Sequence, residues 1–545
     1  MSTVPAAGSM FSPKRSTVPT DSSASLLELQ QRLDRLFTSS GYRPMGVSAK
    51  VVSLKTGRVL YERNADLPLT PASTTKLFTT ASLHLMCGPE ARLHTEARSN
   101  GTLEPDGTLR GDLYLVGCGD ALLTVADVED LADRVRAAGV QKITGQIIGD
   151  GSRFDAMTSR SVYSGDNEEV EATGEITALN INRGTVGFLV SASRSGVANV
   201  QPIPASDAIS VESRVRVIAP RRRPVISPKR GSAGRARQAA PTRRRPSRSV
   251  NRRGDAPMAP RYRRHSVARI HAQAIVQPNG KMHYIVTGSI SSGSSTTVYA
   301  QIKRPALFAA GVLSQRLRSG GVEVGTLIAE RRCPQGSTLI AQTGRPLLDF
   351  TSVVNKRSDN HLAEHAFKMC GYRSGVNPST AAASRAAVLK ALDSLGVQRS
   401  GLLLNDGSGL SRRNVVSAST QVDLLRACSQ QVWGEEFRNS LAIAGVDGSI
   451  RRRMISTPAM QNVRAKTGTL RNVSSLAGYV STLDGEPLVF SFISNGAAVS
   501  SYKFVEDAAA VALAGFSWNP AAVRMMQPQP LKIDSMKDKV TTEKP

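Results

Sequence analysis

The chain has 545 residues, enough for two to four domains with a sizeable core, and it carries a net charge of +27. Taken alone, that charge suggests a nucleic-acid-binding protein. Residues 214–269, however, hold 19 of the 70 Lys and Arg residues and a single acid, so most of the excess belongs to one stretch and we expect no nucleic acid partner. The five cysteines form no C-x-x-C pair, which argues against a zinc ribbon or a disulfide scaffold.

The first elements in chain order are a leader, a helix and a hairpin. Residues 1–23 are rich in Ser, Thr and Pro and predict a disordered leader, without the apolar segment of a secretory signal peptide. Leucines at helical spacing predict an amphipathic helix over 26–37. Two strand-like runs around Lys55-Thr56-Gly57 then predict a hairpin, and Pro71 introduces the next helix.

The rest of the chain alternates between β-rich and helical patterns. The pattern of residues 90–215 predicts strands interrupted by one helix. Residues 220–265 are low-complexity Arg, Pro and Ser, a composition that cannot fold alone. No apolar run reaches the ~18 residues of a membrane span. Helical patterns begin near Pro305, and strands and a final helix precede Pro520. The predicted fold class is α/β (α+β), with an antiparallel sheet flanked by helices. The predicted division is a leader at 1–23, a split domain at 24–90 and 302–520, a β-rich insertion at 91–301 that contains the disordered loop at 220–265, and a loose tail at 521–545.

Three short motifs carry the chemistry, and they occur in a meaningful order. They are Ser73-Thr74-Thr75-Lys76 at the start of a helix, Ser358-Asp359-Asn360 between helical stretches, and Lys466-Thr467-Gly468-Thr469 leading into a strand. Any one of them is a weak signal. The ordered set S-x-x-K, S-x-N and K-T-G is the signature of active-site serine penicillin-binding enzymes and class A β-lactamases.

The first motif predicts a nucleophile and its base. A serine hydroxyl needs an adjacent base to attack at neutral pH, and three residues along a helix place Lys76 on the same face as Ser73. A lysine acts as a base only when its pKa is lowered, which burial and the nearby Lys466 would accomplish. Helix capping is the alternative role for Ser73, and the two roles are compatible.

The other two motifs predict groups that bind the substrate and transfer protons. Ser358 can relay a proton to the leaving amine, and Asn360 can hold the substrate amide and orient Lys76. Lys466 and Thr467 offer a cation and a hydroxyl group to an anionic substrate terminus, on a strand that continues through Gly468.

The transition state also needs donors for its oxyanion. The backbone N–H groups of Ser73, at a helix start, and Thr469, at a strand edge, are predicted to form this oxyanion hole.

Several other segments of the chain match catalytic or metal-binding patterns. Lys55-Thr56-Gly57 repeats K-T-G and Ser500 to Lys503 repeats S-x-x-K, but neither occurs in the expected order. The segment His361-Leu-Ala-Glu364-His365 matches the H-x-x-E-H zinc pattern. Because it directly follows Asn360 and lacks a convincing third ligand, we expect a partly exposed helix face with two ordinary histidines, no metal and no cofactor.

Most of residues 45–520 resemble the low-molecular-mass penicillin-binding proteins of the D-alanyl-D-alanine carboxypeptidase/endopeptidase type, peptidase family S13. The resemblance covers the three motifs and further segments, which include GDLYLVGCGDALLT, ITALNINRGTVGF, LNDGSGLSRRNVVSA and LAIAGVDGSIRRRM. The long gap between Ser73 and Ser358 is also similar to this family, in which large inserted domains follow the S-x-x-K helix.

The resemblance implies a serine D-Ala-D-Ala carboxypeptidase that acts on peptidoglycan peptides in the periplasm or cell envelope, with D,D-endopeptidase activity as an additional expectation. It also implies that β-lactams are covalent inhibitors. Glu435 and Asn439 match the spacing of a deacylating E-x-x-x-N loop, but the family carries this segment as ordinary structure. The alternatives left open are a serine β-lactamase and a non-catalytic cell-wall-binding module. For the stretch at 220–265, which is not a family feature, the two interpretations are a solvated disordered loop and a docking segment for an anionic polymer or membrane surface.

Overall fold

The computed structural model describes residues 21–166, 174–218 and 270–519. Most of the predicted leader, the Arg- and Pro-rich stretch at 220–265 and the tail at 521–545 lie outside the described residues. The helices are α1 (Asp21–Phe37), α2 (Lys76–Cys87), α3 (Val125–Ala137), α4 (Arg160–Ser164), α5 (Pro305–Ser319), α6 (Leu347–Lys356), α7 (Asn360–Arg373), α8 (Ala381–Ser394), α9 (Ala418–Ser429), α10 (Gly434–Asn439) and α11 (Val499–Ala514).

The strands are short except around one central sheet. In the first half of the chain they are β1 (Gly46–Ser53), β2 (Val59–Arg63), β3 (Arg92–Ser99), β4 (Thr102–Leu103), β5 (Thr108–Arg110), β6 (Leu113–Val116), β7 (Lys142–Ile143), β8 (Ile147–Asp150), β9 (Thr185–Ala192), β10 (Ala198–Ile203) and β11 (Ile209–Ile218). In the second half they are β12 (Ile270–Val276), β13 (Met282–Ser291), β14 (Ser295–Gln301), β15 (Glu323–Val324), β16 (Ile328–Glu330), β17 (Thr338–Pro346), β18 (Ala442–Ile443), β19 (Arg464–Leu470), β20 (Val473–Ser481) and β21 (Pro487–Asn495).

The central sheet joins the two ends of the chain. Its six strands run in the order β18-β19-β20-β21-β1-β2, and every neighbouring pair is antiparallel. The predicted hairpin is the pair β1–β2, and the second K-T-G lies in its turn. Strand β1 pairs with β21, so this N-terminal hairpin completes a sheet whose other strands are C-terminal.

Helices cover both faces of this sheet, which explains why β20 and β21 are buried along nearly their whole length. On one face, α11 packs on β20 and α1 packs on α11. The predicted helical spacing of α1 is confirmed, because Leu26, Leu29, Leu33 and Phe37 are all buried there. On the other face, α9 contacts β1 and β21, and α2 packs with α6, α7 and α8. The predicted antiparallel sheet flanked by helices is therefore present.

Two further sheets and a separate unit complete the described chain. A mixed five-stranded sheet has the order β16-β8-β6-β3-β17, and a four-stranded one has the order β15-β7-β5-β4. Contacts divide the chain into a large unit and a second unit made of Val186–Ala205 and Ile209–Ala300. The described strands of that second unit form two three-stranded sheets, β10-β9-β14 and β11-β13-β12. The domain boundaries expected from the sequence stay a prediction.

Two general expectations can be compared with the described residues. None of the helices in this part of the chain is both long and apolar enough to cross a membrane. All five cysteines are unpaired, and Cys118, Cys370 and Cys428 are buried as small apolar side chains.

Candidate active site

The three predicted motifs meet in the large unit. Ser73 lies in a 3-10 turn, Ala72–Thr75, that leads directly into α2, whose first residue is Lys76. The Lys76 Nζ atom lies 2.8 Å from Ser73 Oγ and donates to Asn360 Oδ1, also at 2.8 Å. The Lys466 Nζ atom donates to Ser358 Oγ at 2.7 Å. The structure therefore brings together five side chains from three distant segments.

Both lysines are fully buried, which changes their electrostatics. Burial first, and the neighbouring charge of Lys76 second, hold the pKa of Lys466 well below its usual range. Lys466 also donates to the Thr467 carbonyl oxygen at 2.7 Å. The lowered pKa that the sequence suggests for Lys76 stays a prediction.

Backbone conformation at the site is unusual in two places. Ala72, beside the candidate nucleophile, has a φ of 50°, and Ser358 has a φ of 59°. Left-handed conformations cost a non-glycine residue roughly 1–3 kcal/mol, so the surroundings must hold them. The α7 cap helps at Ser358, because the Asp359 side chain accepts from the Leu362 backbone N–H at 2.9 Å and pairs with Arg183.

A buried hydrogen-bond network supports the turn that carries Ser73. The Pro71 carbonyl oxygen accepts from Ser475 Oγ at 2.7 Å and from Thr74 Oγ1 at 2.9 Å. Gln421 Nε2 donates to Thr74 Oγ1 at 2.7 Å, and its Oε1 accepts from Ser491 Oγ at 2.7 Å. The sheet and α9 thus fix the turn through polar side chains, none of which the motif analysis identified.

The K-T-G motif lies inside β19, whereas the sequence placed it ahead of a strand. Strand β18 pairs with β19 only at Arg464 and Ala465, so the described chain leaves the edge of β19 without a strand neighbour from Lys466 onward. On this open stretch, Thr467 Oγ1 donates to Ser449 Oγ at 2.8 Å. The predicted substrate-binding strand is therefore a free sheet edge that begins at Lys466.

Gly468 lies where β19 meets the Ser73 turn. A Cβ atom at this position would come within 2.4 Å of the Pro71 carbonyl oxygen, 2.2 Å of Ser475 Oγ and 3.1 Å of the Ser73 backbone nitrogen. Only a residue without a side chain allows this close approach. Thr469 follows directly and is paired with Ser474 of β20. The oxyanion hole expected from the backbone N–H groups of Ser73 and Thr469 stays a prediction.

A loop that the motif analysis did not identify completes the surroundings of Lys76. The Ser408 carbonyl oxygen accepts a hydrogen bond from Lys76 Nζ at 2.5 Å. Gly409 has a φ of 82°, and a Cβ atom there would lie 2.0 Å from the Ala72 carbonyl oxygen. The run Asp406-Gly-Ser-Gly-Leu-Ser411, rich in turn residues, is the sequence signal that marks this loop.

The H-x-x-E-H segment lies on α7, at and after His361, and both of its histidines are buried, so the expectation of a partly exposed helix face is wrong. Its Glu364 carboxylate accepts from the backbone N–H groups of loop residues 407 and 408. His365 Nδ1 bonds to the His361 carbonyl oxygen at 2.8 Å, and burial lowers the pKa of both imidazoles, that of His365 to about 4. The Glu364 carboxylate therefore accepts hydrogen bonds from the loop backbone. Within residues 21–166, 174–218 and 270–519, no group of three metal-ligating side chains occurs.

The remaining competing patterns lie elsewhere in the fold. The second S-x-x-K, from Ser500 to Lys503, is inside α11. Asn439 donates to Glu435 at 3.2 Å on the exposed side of α10, as ordinary helical structure would have it.

Comparison with known proteins relates most of this chain to one family. A sequence model described as the D-Ala-D-Ala carboxypeptidase 3 (S13) family matches residues 29–223 and 255–516. The chain is 30% identical to the D-alanyl-D-alanine carboxypeptidase of an Actinomadura species, over 93% of this chain and 88% of that protein. It is 24% identical to the D-alanyl-D-alanine carboxypeptidase DacB of Haemophilus influenzae, over 88% of this chain and 90% of that protein.

The fold is also found among solved structures. The crystal structure of penicillin binding protein 4 (dacB) from Haemophilus influenzae superimposes with a TM-score of 0.61 at 23% identity, covering 86% of this chain and 93% of that one. A second structure of that protein, complexed with a β-lactam, gives a TM-score of 0.58. The predicted fold class is confirmed by this likeness.

Proposed function

The chain belongs to the D-Ala-D-Ala carboxypeptidase 3 (S13) family, which confirms the resemblance found in its sequence, and we propose that it works through an acyl-enzyme on Ser73. It is a serine-type D-Ala-D-Ala carboxypeptidase. The observation that carries the assignment of the nucleophile is the 2.8 Å contact between Ser73 Oγ and the buried Lys76 Nζ atom.

Lys76 is the proposed general base. A neutral amine has two N–H donors and one lone pair. The Asn360 Oδ1 and Ser408 carbonyl oxygens each accept one N–H, which leaves the lone pair for the Ser73 hydroxyl group. Ser73 Oγ then bonds to the carbonyl carbon of the penultimate D-Ala as its proton passes to Lys76 Nζ.

Ser358 and Lys466 are proposed to deliver a proton to the leaving group. When the C–N bond breaks, the departing D-Ala nitrogen takes the Ser358 hydroxyl proton, and Lys466, 2.7 Å away, replaces it from its protonated form. Water then attacks the ester carbon and gives a proton, through Ser358, to the now neutral Lys466, while Lys76 returns its proton to Ser73 Oγ as the C–O bond breaks. The backbone N–H groups of Ser73 and Thr469 are the proposed donors to the oxyanion in both steps.

The free edge of β19 is the proposed binding surface for the peptide. An extended chain can add to such an edge as a further strand. Its terminal carboxylate would meet the Lys466 amine and the Thr467 hydroxyl group, and Gly468 leaves room along the strand. A carboxylate beside Lys466 favours the protonated amine, so substrate binding itself would supply the charge that burial disfavours.

Substrate, inhibitors and location follow from this assignment as proposals. The substrates are peptidoglycan stem peptides, with D,D cross-links as a further target, which places the enzyme in the periplasm or cell envelope. β-Lactams are proposed to acylate Ser73, and the β-lactam complex of the Haemophilus influenzae protein supports this. The basic stretch at 220–265 is proposed to contact anionic polymers or membrane surfaces.

Labelling with a fluorescent penicillin, together with release of D-Ala from a D-Ala-D-Ala peptide, tests the assignment. Wild-type protein should be labelled and active. A Ser73→Ala variant should lose labelling and lose at least about 10³-fold in turnover, because the nucleophile is gone. The Ser500→Ala variant is the matched control, since it removes the serine of the second S-x-x-K without touching the site.

Two results would contradict the proposal. The first is a Ser73→Ala variant that is still labelled, and the second is a wild-type protein that binds no penicillin and releases no D-Ala. Steady hydrolysis of penicillin in place of stable labelling would establish the β-lactamase alternative. Binding to peptidoglycan without turnover would establish the non-catalytic binding module.

A further inference from the structure

The loop 406–411 gives Lys76 a main-chain hydrogen-bond acceptor, and two buried carboxylates hold this loop. The Ser408 carbonyl oxygen lies 2.5 Å from Lys76 Nζ, and the Gly407 carbonyl oxygen accepts from Thr79 Oγ1 on the next turn of α2 at 2.9 Å. The loop is thus bonded to the helix that carries Lys76. The position of one oxygen atom in this loop determines where one N–H of Lys76 points.

Glu364 is the first of the two carboxylates. It lies on α7, one turn after Asn360, and is fully buried. Its Oε1 atom accepts from the Ser408 backbone N–H at 2.8 Å, and its Oε2 atom accepts from the Gly407 backbone N–H at 3.2 Å and from the Tyr163 hydroxyl group at 2.6 Å. One side chain therefore fixes the peptide unit on each side of residue 407.

Asp406 is the second carboxylate, and it shapes the other half of the loop. It accepts from the Gly409 and Ser411 backbone N–H groups, each at 2.8 Å, and from Asn414 Nδ2 at 2.7 Å. Arg160, also fully buried, lies 3.2 Å from Asp406. The loop is consequently held by charge-assisted bonds to its backbone, which are roughly twice as strong as neutral ones.

We propose that Glu364 is a positioning residue for the catalytic lysine: it holds the loop backbone at Gly407 and Ser408, and through this backbone the adjoining Ser408 carbonyl oxygen, so that the lone pair of Lys76 faces Ser73. The inference rests on the proposed function of Ser73 and Lys76. It gives a role in serine chemistry to the acidic residue of the H-x-x-E-H segment, which the sequence also allowed as part of a zinc site.

Proton transfer requires that the lone pair of the base points at the proton it receives. A lone pair on Lys76 is aimed only when both N–H groups have fixed acceptors, and Asn360 supplies just one of these. If the Ser408 carbonyl moves, the amine rotates and its lone pair turns away from the Ser73 hydroxyl group. Displacements of about 1 Å at supporting residues can cost about 10²-fold in rate.

Burying a carboxylate costs free energy because the charge is removed from water. This cost also favours a specific role for Glu364. Burial, and the charge of Asp406 next, raise the pKa of Glu364 to about 7. Glu506 on α11 offers a matched comparison. It is equally buried, its pKa is also raised to about 7 by burial, and it pairs with Arg453 at 3.0 Å.

The test measures acylation of Ser73 by a chromogenic penicillin in rapid-mixing experiments on the full chain. Three quantities are obtained for each variant: the non-covalent Kd, the acylation rate constant, and the fraction of molecules acylated at saturation. The variants are Glu364→Gln, Glu364→Met and, as the control, Glu506→Gln. Gln keeps one of the two acceptor oxygens, whereas Met keeps the volume and removes both.

The expected acylation rate constant falls by about tenfold for Glu364→Gln and by about 10²-fold for Glu364→Met. The Kd and the acylated fraction stay close to wild type, because the β19 edge and Ser73 are unchanged. A merely structural role would lower the acylated fraction and leave the rate constant of the folded molecules intact. The Glu506→Gln variant should acylate at the wild-type rate whatever its stability.

A folded Glu364→Met variant that acylates within about twofold of wild type would overturn the inference. If Glu364→Met does not fold, the Glu364→Gln variant is used instead, and an acylation rate constant within about twofold of wild type would again overturn the inference. Failure of the proposed function looks different, because wild type itself would then not be acylated at Ser73.

Discussion

Lys76 and Lys466 are both fully buried, and two ammonium groups so placed would repel each other. Burial and this repulsion hold the pKa of Lys466 below its usual 10.5. The empty site is therefore less positive than a count of its lysines suggests. In the proposed binding mode, a substrate carboxylate beside Lys466 would favour the protonated amine, so that substrate binding would be coupled to proton uptake.

This coupling predicts an alkaline limit on substrate capture. A lysine loses its charge above its pKa, so kcat/KM for a peptide with a free carboxylate should fall as pH rises through the lowered pKa of Lys466. The fall should come well below the 10.5 of an ordinary lysine. Steady-state kinetics from about pH 5 to about pH 10 would measure it.

A Lys466→Arg variant is the comparison, because a guanidinium keeps its charge over this range. Its kcat/KM will be lower, but its profile should lack the fall in kcat/KM that Lys466 causes. The same alkaline fall in both proteins would show that another group is responsible.

The side chains of the site could be predicted from the sequence, while the main-chain carbonyl group that bonds to Lys76 could not. Ser73, Lys76, Ser358, Asn360 and Lys466 have side-chain chemistry that motifs record, and the structure brings them together. The Ser408 carbonyl oxygen has no such signature, since every residue carries one. Its role depends on where a loop more than three hundred residues from Lys76 folds back.

Strand β19 and the 3-10 turn at Ala72–Thr75 form the site as a pair of elements. The turn could be predicted as a helix start, because Pro71 and the S-x-x-K spacing are local signals. The open edge of β19 could not, because it results from β18 being only two residues long. The zinc-like pattern on α7 shows the same limit, since its histidines and its glutamate face different partners only after α7 packs against the loop 406–411.

The close approach of these two elements predicts a strong effect of a single methyl group. In a Gly468→Ala variant the new Cβ atom would collide with the Pro71 carbonyl oxygen and displace the Ser73 turn. We expect a lower melting temperature and a loss of about tenfold or more in the penicillin acylation rate constant. Calorimetry and rapid mixing would measure the two effects.

The Gly325→Ala variant is the matched control, because its Cβ atom would meet no heavy atom within 4 Å. It should be as stable and as active as wild type. A Gly468→Ala variant that behaves like this control would contradict the close packing described for β19.

At the scale of the whole molecule, the basic stretch and the site residues belong to different parts of the chain. The residues of the site all fall in the large unit, whereas the basic stretch at 220–265 follows β11 in the second unit's sequence. The basic stretch could be identified from the sequence alone, because residues 214–269 carry a net charge of +18. What it binds depends on surfaces that composition does not describe.

Replacing the arginines of 220–265 with glutamine keeps the chain length and removes most of this charge. We expect retention on an anionic heparin matrix at low salt to fall strongly, while D-Ala release from a small peptide stays unchanged. Added salt should weaken retention of the wild-type protein more, because screening acts on the charge that the variant has lost. Equal retention of the two proteins would contradict the proposed contact with anionic polymers.

The sheet order β18-β19-β20-β21-β1-β2 has a consequence for how the protein comes into being. Translation produces Ser73 early, but the β1–β2 hairpin has no sheet to join until Pro487–Asn495 has been synthesised. Ser358, Lys466 and the loop 406–411 likewise emerge only later. The proposed nucleophile therefore precedes in the chain every side chain from the other two motifs, and the sheet that surrounds it is complete only after β21 has been synthesised.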